Sequence, residues 1–150
     1  MRLLIQRVKE AQVLTDKQLI SEIKSGLLIF CGIAENEQSK DLDWLANKVL
    51  ALRIFADKDK KMNLSVQDVG GEVLVISQFT LFASTKKGNR PSFHGSAKGR
   101  EAKNMYDEFC NCLASKMKGS VRKGIFGADM QVCLVNDGPV TLWLDSQRKE

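Results

Sequence analysis

Apolar and polar positions along this chain fall into short strand-like runs broken by two longer stretches of helical spacing. Arg2–Val8 and Gln12–Thr15 are predicted as extended segments, and Gln18–Ile23 as a further short strand. Leu27–Ile33 is continuously apolar, the mark of a strand buried on both faces. Leu42, Leu45, Ala46, Val49, Leu50 and Leu52 recur close to helical spacing, and Ser39 or Asp41 is the expected cap. Arg53–Ala56 reads as a short strand and Asp57–Lys61 as a charged turn. Val73–Phe79 is a second buried strand running into Thr80-Leu81-Phe82-Ala83. Ser84–Gly99 lacks periodicity and holds four Gly or Pro residues among basic ones; a loop of that length in a compact domain is often functional. A second helix follows, with Ala102, Met105, Tyr106, Phe109, Leu113 and Met117 on one face. Val121–Phe126, Met130–Val135 and Val140–Leu144 are the last predicted strands, and Gln147–Glu150 a frayed tail.

The last two strands are joined by Asn136-Asp137-Gly138-Pro139, a composition that normally makes a hairpin. Gly138 has no side chain and Pro139 no N–H, so the pair offers a ligand carbonyl oxygens and little else. It is a candidate rigid gauge of what fits beside it. With no repeat, linker or low-complexity tract, residues 1–150 read as a single α/β domain. Its expected architecture is mostly antiparallel or mixed β-sheet layers with two main helices packed on one face.

At 150 residues, 43% hydrophobic and 27% charged, the composition is that of an ordinary globular domain with a real core. The longest apolar run, Gly26–Ala34, is too short to span a bilayer, and Gln6 and Arg7 interrupt the opening, so no secretory segment or membrane partner is expected. The chain reads as cytoplasmic. Cys31, Cys110, Cys112 and Cys133 form no C-x-x-C pair, and His94 is the sole histidine. Reduced thiols are therefore expected, with no metal and no cofactor. The formal charge of +5 permits an anionic partner. Lys86, Lys87, Arg90, Lys98, Arg100 and Lys103, set against the single acid Glu101, could track a phosphate backbone, or could be a solvated loop and helix start.

Ser77-Gln78-Phe79-Thr80 closes an apolar strand with three hydrogen-bonding side chains, where rigid backbone meets an open edge. No G-x-S-x-G elbow and no phosphate-binding glycine loop is present, and the carboxylate pairs Asp41 with Asp43 and Asp57 with Asp59 fall in a helix start and a turn, where acids are expected anyway. The side chains of ordinary hydrolytic catalysis are missing. An enzyme built from this inventory would draw on backbone dipoles and on groups of its substrate.

Three segments, Ser77-Gln78-Phe79-Thr80-Leu81-Phe82, Lys87-Gly88-Asn89-Arg90-Pro91-Ser92-Phe93 and Asn136-Asp137-Gly138-Pro139-Val140-Thr141, resemble the signature segments of the D-aminoacyl-tRNA deacylases. The opening Met1-Arg2-Leu3-Leu4-Ile5-Gln6-Arg7-Val8 and Ala128-Asp129-Met130-Gln131-Val132 are similar too, in the right order over the whole chain. The resemblance implies a homodimeric hydrolase of the ester between an amino acid and the 3′-terminal ribose of tRNA. Its implied substrates are D-aminoacyl-tRNAs and glycine mischarged on tRNA-Ala. It further implies that Ser77, Gln78, Phe79 and Thr80 form the catalytic pocket, with backbone N–H groups near Phe79 and Thr80 facing the oxyanion. Gly138-Pro139, as a cis pair, would enter the partner subunit's pocket and exclude L-side chains. Asn136, Asp137 and Met130 would lie beside the substrate, and Lys86, Lys87 and Arg90 would bind tRNA. The chain departs from the family pattern at Phe82-Ala83-Ser84 and at the basic segment His94–Arg100. Two other readings stand beside this one: a non-catalytic nucleic-acid-binding protein on the same scaffold, and a small-molecule esterase using Ser92 and His94.

Overall fold

The computed structural model describes residues 1–149. Eight strands and two helices follow in the order β1 (Arg2–Thr15), β2 (Gln18–Ile23), β3 (Gly26–Gly32), α1 (Ser39–Ala51), β4 (Phe55–Ala56), β5 (Met62–Leu64), β6 (Glu72–Ser77), α2 (Gly99–Lys116), β7 (Val121–Lys123) and β8 (Gln131–Asp145). A 3-10 turn, Phe79–Phe82, follows β6. The main sheet runs β2-β1-β3-β6-β7, with β8 on the free edge of β1 and a separate β4-β5 pair. β1 is antiparallel to β2, β3 and β8, while β3, β6 and β7 are mutually parallel. The sheet is therefore mixed, as the strand pattern led one to expect.

Alternation along the strands divides the interior in two. Leu27, Ile29 and Cys31 of β3 and Val73 and Val75 of β6 face both helices. Leu28, Leu74 and Ile76 face the other way, onto Val8, Ala11, Val13 and Ile23. Among the described residues no helix covers that second face; the sheet closes it by curling until β2 approaches β6 and β7. On the first face α1 buries Leu42, Leu45, Ala46, Val49 and Leu50, and α2 buries Ala102, Tyr106, Phe109, Cys110 and Leu113. Each large apolar side chain so buried contributes about 1.5–3 kcal/mol, and Leu45→Ala would remove one such contribution from α1. β3 and β6 begin in such close contact that a Cβ on Gly26 would lie 1.9 Å from the Glu72 carbonyl oxygen. Glycine there is a condition of the parallel pairing.

Several expected boundaries move. Arg2–Val8 and Gln12–Thr15 are one strand, because both halves pair with β8 in the same antiparallel sense. Neither Ser39 nor Asp41 caps α1; the cap position is Gln38, with no side-chain hydrogen bond. The strand expected over Val121–Phe126 stops at Lys123, and β5 was not expected at all. The tail is docked rather than frayed over 147–149: Lys149 Nζ lies 3.2 Å from Asp41, and the Arg148 N–H donates to the Asp145 carbonyl. Glu150 lies outside the described residues.

The largest revision concerns Asn136–Pro139. It is no hairpin, since β8 runs straight through it from Gln131 to Asp145. Both flanking halves pair with β1 in the same antiparallel sense, which a reversal would forbid. Gln6 pairs with Thr141 and Val8 with Asn136, so Asp137–Val140 stands opposite Arg7 alone as a wide bulge. On β1 the compensating irregularity falls at Lys9, and it hands burial from Leu3 and Ile5 on the helix face to Ala11 and Val13 on the other.

Candidate active site

Parallel strands leave a cleft beyond their carboxyl ends, where the chain departs for a covering helix. Here the ends of β3 and β6 and the segment that follows β7 converge on a cavity of about 670 Å³. Its floor is Cys31 and Ile76. Ser77, Gln78 and Phe79 form one wall, Phe93 to Gly99 with Ala102 another, and Phe126 to Met130 with Val132 a third. The lining is mainly apolar, with His94, Lys98 and Asp129 as ionisable groups that are exposed to solvent.

The Ser77–Thr80 segment owes its shape to two hydrogen bonds. The Gln78 N–H donates to the Cys31 carbonyl at 2.8 Å and extends the parallel ladder by one step. The Leu81 N–H then donates back to the Gln78 carbonyl at 3.3 Å, which curls the chain into the 3-10 turn. The first N–H groups of such a turn have no partner within it. Those of Phe79 and Thr80 donate to no backbone carbonyl among the described residues. The Gln78 amide donates to the Thr80 hydroxyl. Phe79, 57% exposed, meets Phe93 edge-on with ring centroids 5.0 Å apart, giving the cavity an aromatic lip. Burial pushes the Cys31 thiol well above its usual range, with Cys110 adding to the shift. The thiol in the floor is therefore neutral and no nucleophile.

Gly138 and Pro139 are both exposed, their peptide bond is cis, and they do not line this cavity of their own protomer. Arg7 fixes the base of the bulge: its Nε lies 3.2 Å from the Asp137 carboxylate, off hydrogen-bond angle, and its Nη1 donates to the Ile54 carbonyl. Asn136 Nδ2 donates to the Thr141 hydroxyl at 3.1 Å and closes the bulge from the other side. Of the expected substrate neighbours, Met130 lines the cavity, whereas Asn136 and Asp137 stay with the bulge.

Lys86, Lys87 and Arg90 sit at the exposed tip of a loop whose neck is tied by reciprocal bonds between Ser84 and Ser92, at 2.8 and 2.9 Å. They stand outside the cavity, while Lys98 and His94 reach its wall. Ser92 and His94 do not make a catalytic pair: Ser92 Oγ is directed to the Ser84 carbonyl at 3.3 Å, and Ser92 does not line the cavity. Phe126, Gly127 and Ala128 also line the cavity, although the apolar pattern places them in or beside a strand. Gly124 and Gly127 were the available signals that β7 ends early. Among the described residues no group of three or more His, Cys, Asp or Glu gathers as a metal site, and no helix is long and apolar enough to cross a membrane.

Residues 4–145 match the model of the family described as D-Tyr-tRNA(Tyr) deacylase. A protein of Akkermansia muciniphila named D-aminoacyl-tRNA deacylase is 54% identical over 150 residues, the full length of both chains. One of the same name from Flavobacterium psychrophilum is 49% identical, again over the whole of both. Among solved structures, one titled c-Myc DNA Unwinding Element Binding Protein superposes with a TM-score of 0.91 at 37% identity, covering 97% of this chain and 98% of that one. Another, titled a probable eukaryotic D-amino acid tRNA deacylase, gives a TM-score of 0.80 at 17% identity, over 95% and 97% of the two chains, and is similar in fold.

Proposed function

The chain belongs to the D-Tyr-tRNA(Tyr) deacylase family, and from that premise we propose how its geometry performs and restricts the reaction. The protein is a hydrolase of the aminoacyl-tRNA ester, with D-aminoacyl-tRNA as substrate. In our reading the ester enters the cavity at the end of β6. Its carbonyl oxygen takes the N–H groups of Phe79 and Thr80, which the 3-10 turn leaves without partners. Donors already in place where negative charge develops are a large contribution to such catalysis. The aromatic lip of Phe79 and Phe93 accepts the terminal base. Water attacks with help from the substrate's own groups, since the floor thiol is neutral and the Thr80 hydroxyl accepts from Gln78.

Handedness is read by Gly138-Pro139. Rejecting a side chain sterically needs a wall that does not yield, because a loose pocket discriminates by only a few kcal/mol. The bulge is stiffened by Pro139 and braced by Arg7, and it projects into solvent rather than into its own cavity. That exposure is the observation that carries the model of a homodimer in which each bulge completes the other protomer's pocket. Such a wall excludes L-residues, admits D-residues and tolerates glycine, including glycine carried by tRNA-Ala. Lys86, Lys87 and Arg90 receive the tRNA backbone, in a protein we place in the cytoplasm.

Incubation of the purified protein with D-Tyr-tRNA and L-Tyr-tRNA tests the reading. Rapid loss of the D-ester alone is expected; equal turnover of both, or of neither, rejects it. Light scattering that finds a monomer at assay concentration would reject the shared pocket. A second reading, binding of nucleic acid without cleavage, draws on the basic loop and on the DNA-binding name of one structural relative. It predicts salt-dependent retention of RNA or DNA by a protein inert toward D-Tyr-tRNA.

A further inference from the structure

We propose that Arg2, at the opposite end of the chain from the bulge and outside the cavity, is a positioning residue for the oxyanion-binding turn. The inference rests on the reading above, in which the Phe79 and Thr80 N–H groups receive the developing charge. A 3-10 turn of four residues has little stiffness of its own, and its last carbonyls have no partner within it. Arg2 supplies one. Its Nη1 donates to the Leu81 carbonyl at 3.0 Å, and its guanidinium carbon stands 4.4 Å from the centroid of the Phe82 ring. The guanidinium is held in turn by the Asp145 carboxylate, 3.0 Å from Nε, and lies 5.7 Å from the Trp143 ring centroid. One planar group thus grips the two residues that follow Phe79 and Thr80. It is itself anchored on β8.

The other side of the turn is held by absence. A Cβ on Gly32 would lie 2.9 Å from the Gln78 carbonyl oxygen, 3.1 Å from the Phe82 ring and 3.2 Å from Leu81 Cβ. The turn is seated directly on the β3 backbone and clasped from above by Arg2. Lysine would keep a charge near Asp145 but has no planar fork with which to donate and stack at once. The clasp is specific to arginine.

The test compares Arg2→Met, Arg2→Lys and Gly32→Ala with the unaltered protein, by steady-state hydrolysis of D-Tyr-tRNA and by amide hydrogen exchange. Arg2→Met is expected to lower kcat about tenfold or more while KM stays within about twofold, because misplaced donors act in the transition state. Exchange at the Leu81 and Ala83 N–H groups should accelerate about tenfold, with α2 amides unmoved. Arg2→Lys should recover part of kcat. Gly32→Ala, which displaces the turn from below, should lower kcat in the same way with Arg2 intact. Unchanged kcat, unchanged exchange at Leu81 and Ala83, or acceleration spread evenly over the whole protein would each overturn the proposal. If the unaltered protein fails to cleave D-Tyr-tRNA, the functional reading falls, and the exchange data alone decide whether Arg2 holds the turn.

Discussion

Adding one methyl group at Gly138 tests the bulge both as a structure and as a gauge. The backbone there has φ +119°, a region that residues with a side chain rarely occupy. A Cβ would stand 2.8 Å from Arg7 Nη2 and 3.0 Å from Val140 Cγ2. The first contact is with the end of a flexible side chain, which can swing away at the expense of its approach to Asp137, now 3.2 Å. The second is harder to relieve, because a β-branched side chain is stiff. Backbone strain of this kind costs about 1–3 kcal/mol. Gly138→Ala should therefore lower stability by about 2 kcal/mol, which for a domain of this size moves Tm by about 4–8 °C. The fold survives such a loss, so activity remains measurable. Thermal unfolding followed by circular dichroism gives the first number, and hydrolysis of D-Tyr-tRNA and L-Tyr-tRNA in parallel gives the second. The D-over-L ratio of kcat/KM should fall by about tenfold or more, as a displaced wall ceases to exclude the wrong side chain. An unchanged Tm would refute the strain argument. A lowered Tm with the full D-over-L ratio would detach Gly138 from selection.

Thr80→Ala removes a hydroxyl but neither N–H group, so kcat/KM for D-Tyr-tRNA should stay within about threefold; loss of hydrolysis with tRNA binding intact would make the hydroxyl the catalyst. Phe79→Ala removes the exposed half of an aromatic pair and should raise KM about tenfold with little change in kcat, in line with about 1–3 kcal/mol per stacked base. Tyr106→Phe should cost about 1 kcal/mol and about 2–4 °C in Tm: its hydroxyl donates to the Val75 carbonyl at 2.8 Å, but that carbonyl keeps the Gly124 N–H at 3.0 Å and is not orphaned. Glu72 receives the Ser120 hydroxyl at 2.6 Å and the Lys24 N–H at 2.8 Å, and these bonds hold its carboxyl below the ordinary value of 4.5. A carboxyl depressed by folding stabilises the protein fully above that ordinary value and progressively less as pH falls below it. Urea midpoints for Glu72→Gln should therefore converge on those of the unaltered protein as pH drops from about 6 to 3, and parallel curves would refute the assignment.

What the sequence made legible followed from periodicity. Leu27–Ile33 and Val73–Phe79 read as buried strands because both faces of β3 and β6 are covered, one by the helices and one by the curl of the sheet. The spacing of Leu42 to Leu50 and of Ala102 to Leu113 placed both helices, since one apolar stripe of each meets the sheet. The Ser84–Gly99 loop stood out by its lack of pattern, and its latter half does wall the cavity. Local signals failed where pairing at long range decides. Asn-Asp-Gly-Pro has every feature of a turn, yet strand β1 is long enough to pair with both sides of it, so the segment bulges instead of reversing. Val121–Phe126 is apolar enough for a strand, but its ladder with β6 ends at Lys123 and releases Phe126 to Met130 to the cavity rim. The clasp of Arg2 on Leu81 joins residues that no local pattern relates.

The division of labour proposed above follows from the same geometry. The end of a parallel strand pair offers unpartnered N–H groups and a cleft, but it cannot also offer a rigid wall on the open side of that cleft, because the chain leaves there for helix α2. A wall rigid enough to reject a side chain is best made from paired strand, and β8 provides one: ladder bonds flank the bulge on both sides, and Arg7 braces it from β1. Yet β8 lies on the far edge of β1, with β3 between it and β6, so its bulge projects away from the cavity of its own protomer. Val135 and Trp143, 45% and 48% exposed, stand on the same strand on either side of that projection. In the proposed reading, cleavage and selection meet in one pocket when two copies place each bulge at the other's cleft, and the exposed apolar positions beside the bulge are where such a pairing would bury surface.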